Sequence, residues 1–252
     1  ILARTHELVD EQSRVFADVV RPQLAAEGIK ILRWSELTED EQRSLTQLFN
    51  ARILPVLTPL AVDPSHPFPY ISGLSINLAV QLRHPVTGAL SFARVKVPNI
   101  LSRFLRLTGD RFVPLEDVIA SHLDALFTGM HIVAWTTFRV MRNEDVEVEE
   151  DDAESILYAL EKELLRRKVG RPPVRLEVED DINETMLELL TRELDVSAKE
   201  VFRLPAPLDL RGLFSLTDVD REALLYPGFI PLTNPHLAEV EAAQAADLFS
   251  AL

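Results

Sequence analysis

Cysteine is absent from the 252 residues, which excludes disulfides and thiolate metal sites and fits a reducing compartment. Glycine is sparse: the eight glycines lie scattered at 28, 73, 88, 109, 129, 170, 212 and 228. No glycine-rich loop is available to cradle a nucleotide phosphate, so sites of the P-loop and dinucleotide types are excluded. No apolar run approaches the length of a membrane span, and the opening ILARTHELVDEQ lacks the apolar core of a secretory signal. The cytoplasm is therefore the expected compartment, with peripheral membrane association left open. Cations are the minority, 26 Lys and Arg against 40 Asp and Glu, for a formal charge of −14. That balance argues against nonspecific binding to nucleic acid or an anionic membrane, while leaving room for a local basic pocket. Of the six histidines, no two stand at metal-ligand spacing on one helix, so no metal site and no catalytic residue is assigned.

What the chain does have is a proline-dense stretch, ILPVLTPLAVDPSHPFPYISGLSINLAV, from Ile53 to Val80. Pro55, Pro59, Pro64, Pro67 and Pro69 each fix their own φ and bias the preceding residue away from helix. The stretch must be extended and stiff. Its Val56, Leu57, Leu60 and Phe68 are expected to be buried, as a rigid crossing between two structural units.

Before the crossing, apolar residues recur at helical spacing over 3–27, and Gly28 stands where a C-terminal stop is expected. A short strand-like IKILRW follows. Thr38 and Glu41 form a capping box for the next helix. Residues 1–53 read as an antiparallel helical hairpin, part of an N-terminal helical domain. After the crossing the period changes to two. Ile76, Leu78, Val80 and Leu82 share one strand face, HPVTG turns, and FARVKV returns as the partner strand. Helices are expected over 115–127, 152–168 and 184–194, and strands over 131–142 and 173–179. The fold class is α+β, with the helical piece at 1–53 and a head domain at 54–252 built on a small antiparallel sheet flanked by helices. The chain begins inside a helical pattern and ends without a cap, so both ends are expected to be cuts through a longer protein.

The long motif from Ile53, followed in order by FARVKVP, FRVMRNEDVEVEEDDAESILYALEKELLRRKVG, PVRLEVEDDINETMLELL and DVSAKEVFRLPAPLDL, closely resembles the bacterial polyphosphate kinase family. The resemblance spans almost the whole chain. It implies an enzyme that transfers the γ-phosphoryl group of ATP reversibly onto polyphosphate through a phosphohistidine, with magnesium as cofactor. The family's histidines, and the arginines that hold the magnesium-bound phosphates, lie in C-terminal domains, and its nucleotide-contacting asparagine lies upstream of Ile1. The chain itself is then expected to be inactive, to hold no cofactor, and to supply architecture, contacts in a homodimer or larger homo-oligomer, and part of a tunnel wall. The alternative is a stand-alone noncatalytic binding module of the same ancestry.

Candidate tunnel residues are Arg94, Lys96, Arg139, Arg142 and His66. Arg94 and Lys96 lie two apart on one strand, so both cations emerge from one face; that face either meets phosphate, which needs positioned cations, or is solvated. Arg139 and Arg142 stand at the end of a long strand. His66, in DPSHPFPY, either shapes a phosphate site or pins a loop between prolines. Arg166, Arg167 and Lys168 suit a helix C-terminus. The carboxylate run at 144–154 lacks the spacing and glycine of a calcium loop.

Overall fold

The computed structural model describes residues 1–62, 68–142 and 173–232. His66, the acidic run, the helix expected over 152–168 with its terminal cations, and His236 lie outside the described residues. The chain divides into two compact units, Ile1–Leu216 and Thr217–Leu252.

The first unit opens with α1 (Leu2–Val15), which continues through one π-helical turn, Phe16–Val20, into α2 (Arg21–Ala26). Gly28 ends the run with φ 85°, a left-handed conformation that costs glycine little. Strand β1 (Lys30–Ile31) is shorter than IKILRW suggested. Helix α3 (Glu39–Leu48) starts on the expected capping box: the Glu41 N–H donates to the Thr38 hydroxyl, and the Thr38 N–H donates to the Glu41 carboxylate.

The crossing only partly behaves as expected. Leu57 is buried and Phe68 half-buried, but Val56 is 47% and Leu60 38% exposed. The stretch is not extended at its start, where Leu54–Val56 form a 3-10 turn that carries Val56, and stiffness alone does not decide which side chains are buried. Leu60 moreover lies on β2 (Leu60–Val62), an edge strand with an open side.

The main sheet adds β3 (Ile76–Arg83), β4 (Leu90–Lys96), β7 (His131–Arg142), β8 (Pro173–Glu179) and β9 (Val201–Leu204), in the order β2-β4-β3-β7-β8-β9. Its pairs are antiparallel except β8 and β9, which run parallel because helix α6 (Glu184–Leu194) connects them as a crossover. A second sheet joins β1, β6 (Arg111–Pro114) and β5 (Phe104–Arg106). Between the sheets in sequence, α4 (Leu115–Ala120) and α5 (Leu123–Leu126) replace the single helix expected over 115–127. The break falls at His122, whose backbone leaves the helical region at φ −121°, ψ 21°.

Strand alternation gives the main sheet two apolar faces. Leu78, Val80, Leu82, Ala93 and Val95 pack with Phe49, Ile53, Leu115, Val118 and Ile119. Ala79, Phe92, Phe138, Val140, Leu176 and Val178 pack with Met186, Leu190 and Leu194 of α6. Central β3 is accordingly buried almost throughout, since both faces are covered. In the second unit the described residues 217–232 contain a 3-10 turn at Glu222–Leu224 and expose Tyr226, Phe229, Ile230 and Leu232.

Candidate functional site

The register of β3 and β4 sets Ala79 opposite Arg94 and Asn77 opposite Lys96. The two cations therefore share the face that carries Ala79, near the end of the sheet where β3 begins. The Arg94 Nε–H donates to Asn77 Oδ1 at 2.8 Å. The Asn77 amide in turn donates to the Ser75 carbonyl at 2.9 Å, and the Ser75 hydroxyl donates to the Ser72 carbonyl at 2.8 Å. The Lys96 ammonium donates to the Ser72 hydroxyl at 3.0 Å. At the end of β7, the Arg142 Nε–H donates to the Ile71 carbonyl at 2.8 Å, and its guanidinium lies 4.6 Å from the centre of the Tyr70 ring. Arg94, Lys96 and Arg142 thus converge on one short segment, Tyr70–Asn77. Leu74, within that segment, has φ 60°, a left-handed conformation that bulky residues rarely adopt.

This end of the sheet opens into a cleft of about 420 Å³ lined by Ser72, Leu74, Ser75, Lys96, Arg103 and Asp209 among others. Arg94 is 7% exposed, so it supports the segment from behind, whereas half-buried Lys96 reaches the cleft. Among the described residues no carboxylate pairs with Arg94 or Lys96; both bond to neutral groups. Burial pushes the Arg94 guanidinium below its usual range.

Arg139 goes elsewhere. Three residues from Arg142 on a strand, it faces the other side of the sheet. There it bonds Glu177 at 3.0 Å and stands 3.4 Å from Asp209. Arg175 pairs with Glu177 at 2.7 Å, and Arg211 with Asp209 at 2.8 Å. A buried acid layer adjoins: Glu116 pairs with Arg103, while Arg33 lies 2.8 Å from Asp117 and 3.8 Å from Glu179. Burial raises all three carboxyls. Asp117 is pushed from 3.8 up to about 7, with Glu116 and Glu179 adding repulsion against the attraction of Arg33.

Three of the histidines in view make side-chain contacts. His6 Nε2 bonds the Lys199 carbonyl at 2.9 Å and its ring stacks on Phe202; His122 bonds the Thr46 hydroxyl at 2.9 Å and stacks on Phe49; His84 Nδ1 accepts two turn N–H groups. Among the described residues no three His, Asp or Glu side chains gather as metal ligands, and no helix is long and apolar enough to cross a membrane. Sequence reasoning passed over Ser72, Ser75, Asn77 and Arg103. The first three lie inside the quoted motif, where two serines before a strand and an asparagine at its start were the available signal.

Residues 40–216 match the model of the polyphosphate kinase middle domain. Over its full length the chain is 59% identical to a polyphosphate kinase of Streptomyces coelicolor, covering 34% of that protein. It is 49% identical to one from Mycobacterium tuberculosis across 94% of the chain, again covering 34% of the relative. The crystal structure of a polyphosphate kinase from Porphyromonas gingivalis superposes with a TM-score of 0.69 at 25% identity, over 95% of this chain and 35% of that one. The chain therefore spans about a third of the length of the relatives it matches.

Proposed function

The chain belongs to the polyphosphate kinase family, through its middle domain, and from that premise we propose that it serves an enzyme moving the γ-phosphoryl group of ATP to and from polyphosphate. Within that enzyme its part is to wall the polyphosphate path with the cleft at the start of β3 and to brace a homo-oligomer. The phosphohistidine chemistry belongs to other parts of the polypeptide, and this chain alone has no kinase activity. The compartment is the cytoplasm. Magnesium, when bound, offsets phosphate charge; among the described residues no three His, Asp or Glu side chains gather to hold it.

One observation carries the reading. Arg94 and Lys96 stand side by side at this end of the sheet with no carboxylate partner among the described residues, and Lys96 opens onto the cleft with two serine hydroxyls beside it. A polyanion passing there gains attraction from Lys96, and behind it from Arg94, where the partly water-excluded wall weakens screening. Arg94 acts as a positioning residue, since it holds Asn77 and through it the Ser75–Ser72 turn. Arg142 holds the other end of the same segment at Ile71.

The test is Lys96→Gln in the full-length enzyme, with polyphosphate affinity read at two salt concentrations. The expected result is binding weakened about fivefold, the scale of one partly exposed charge at about 1 kcal/mol, with a shallower salt dependence and unchanged folding. Equal affinity at both salts would sink the tunnel reading. A change in sedimentation that precedes any change in affinity would assign the face to subunit contact instead.

A further inference from the structure

The face of the sheet opposite Lys96 carries a second group of cations that the tunnel wall does not use. Arg139 of β7, Arg175 of β8 and Arg211 beyond β9 line a cavity of about 200 Å³, closed on another side by Gln12 and Ser13 of α1. Two carboxylates serve these three guanidinium groups. Glu177 is shared by Arg139 and Arg175, and Asp209 by Arg211 and Arg139. Three cations against two anions leave one positive charge in excess. The side chains of Arg139 and Arg175 are 9% and 13% exposed, so water compensates little of it.

The hydrogen bonds give an independent indication. Nε of Arg139 and Nε of Arg175 are buried and bond to nothing. Buried donors are rarely left so, and two guanidinium donors without partners beside one cavity mark the place of a missing acceptor. Burial and the neighbouring Arg139 both push Arg175 below its usual range, against the pull of Glu177, as expected of crowded like charges. Guanidinium forks match the oxygens of a phosphate group better than any other side chain does. The cavity is smaller than the roughly 300 Å³ at which sites for nucleotide-sized ligands begin, so it suits one tetrahedral group.

We propose that Arg139, Arg175 and Arg211 form a second anion site that binds a single phosphate group, either free inorganic phosphate or the terminal group of a polyphosphate chain. The site and the Lys96 cleft have Asp209 in common, but Arg139, Arg175 and Arg211 line only the former and Lys96 only the latter, so the proposal does not depend on how the cleft at β3 is read.

The experiment titrates the 252-residue chain with inorganic phosphate, and separately with a polyphosphate of defined length, by calorimetry at ionic strength matched with chloride. One phosphate per chain is expected, with saturation that chloride does not reproduce. Arg211, 61% exposed, can be changed without disturbing the core; Arg211→Gln should weaken phosphate binding about tenfold, the worth of one charge-assisted hydrogen bond. Asp209→Asn should do the reverse and tighten binding several-fold. It removes the competing carboxylate, and asparagine is among the residues that best tolerate the left-handed backbone there, φ 56°. If the longer chain's binding also depends on Arg211, the polymer end is a source of the ligand; if it does not, free phosphate is the ligand. No saturable binding above the chloride control overturns the proposal. So does saturable binding that both variants leave unchanged, or that Lys96→Gln weakens in place of Arg211→Gln.

Discussion

Asp117 makes stability depend on pH in a direction opposite to that of most surface carboxylates. The ordinary value is 3.8 and the folded one about 7, because burial outweighs the nearby Arg33 and the repulsion of Glu116 and Glu179 adds to it. Between about pH 4 and 7 the folded chain keeps a proton that the unfolded chain has released. The folded state binds more protons, so stability falls as pH rises through that window and levels off above it. At pH 5 the folded group lies about 2 units below its own titration while the unfolded group is already ionised; at about 1.36 kcal/mol per unit this gives about 2–3 kcal/mol lost between pH 5 and 8. Glu116 and Glu179, also raised by burial, contribute with the same sign. The charged groups facing Asp117 are Arg33 before α3, Glu116 on α4 itself and Glu179 on β8. Asp117→Asn fixes the neutral form. It costs a pH-independent amount through the weakened bond to Arg33, so the informative quantity is the change in the difference between the two proteins. Urea midpoints at pH 5, 6, 7 and 8 should show the variant gaining about 2–3 kcal/mol on the native chain across the range. Parallel curves, with the difference constant within about 0.5 kcal/mol, would refute the reasoning and show that Arg33 keeps Asp117 ionised throughout.

Two further substitutions probe the packing that positions the site. Phe49 is wholly buried and stacks on His122 with ring centres 4.3 Å apart, so Phe49→Ala should cost about 3–5 kcal/mol in denaturant unfolding; a loss below about 1 kcal/mol would mean that the helix end does not seal that face of the sheet. A Cβ on Gly212 would lie 2.8 Å from Arg103 Cγ and 3.1 Å from Phe104 Cε2, and Arg103 is held by Glu116 and by the Leu208 carbonyl. Gly212→Ala should therefore lower stability by about 1–3 kcal/mol, as overpacking does, and an unchanged melting temperature would show that Arg103 yields freely.

The fold was most legible where one period held over many residues. Strands 131–142 and 173–179 and helix 184–194 match the elements in position, because alternation and helical spacing there are uninterrupted. Capping chemistry was equally readable at Thr38 and Glu41, since it depends on residues three apart and on nothing distant. Burial in the proline-rich crossing was not. The count of apolar side chains says how much can be buried, but which ones are depends on the neighbours, and Val56 and Leu60 have none on their open side. The parallel pairing of β8 with β9 was equally hidden, because strand direction follows from how α6 crosses the sheet. For the site, i and i+2 spacing was enough to put Arg94 and Lys96 on one face. The odd spacing of Arg139 and Arg142 carried the opposite message, that these two part company. Asn77, Ser72 and Ser75 had no signal of their own beyond the motif, because their role arises only when β4 is laid beside β3 in this register.

By net charge an acidic chain is a poor host for a polyanion, yet the charge that matters at a site is the charge within about one Debye length, about 10 Å at moderate salt. The formal −14 is a property of the whole surface. The interior is arranged differently. Arg33 and Arg103 each face a carboxylate, so their charge is taken up in holding β8 and α4 in place. Arg94 and Lys96 are surrounded by an amide and hydroxyls, which orient a cation without neutralising it. The two kinds of environment look alike in composition, since every one of these residues is a cation on or beside a strand. For two of the strand cations the residue across the ladder makes the difference: Glu177 stands opposite Arg139, and Ala79 opposite Arg94. A neutral cross-strand partner leaves the whole of a cation's field to an incoming anion, whereas a carboxylate partner offsets much of it. In the proposed cationic wall the uncharged residues on β3 thus matter as much as the cations on β4.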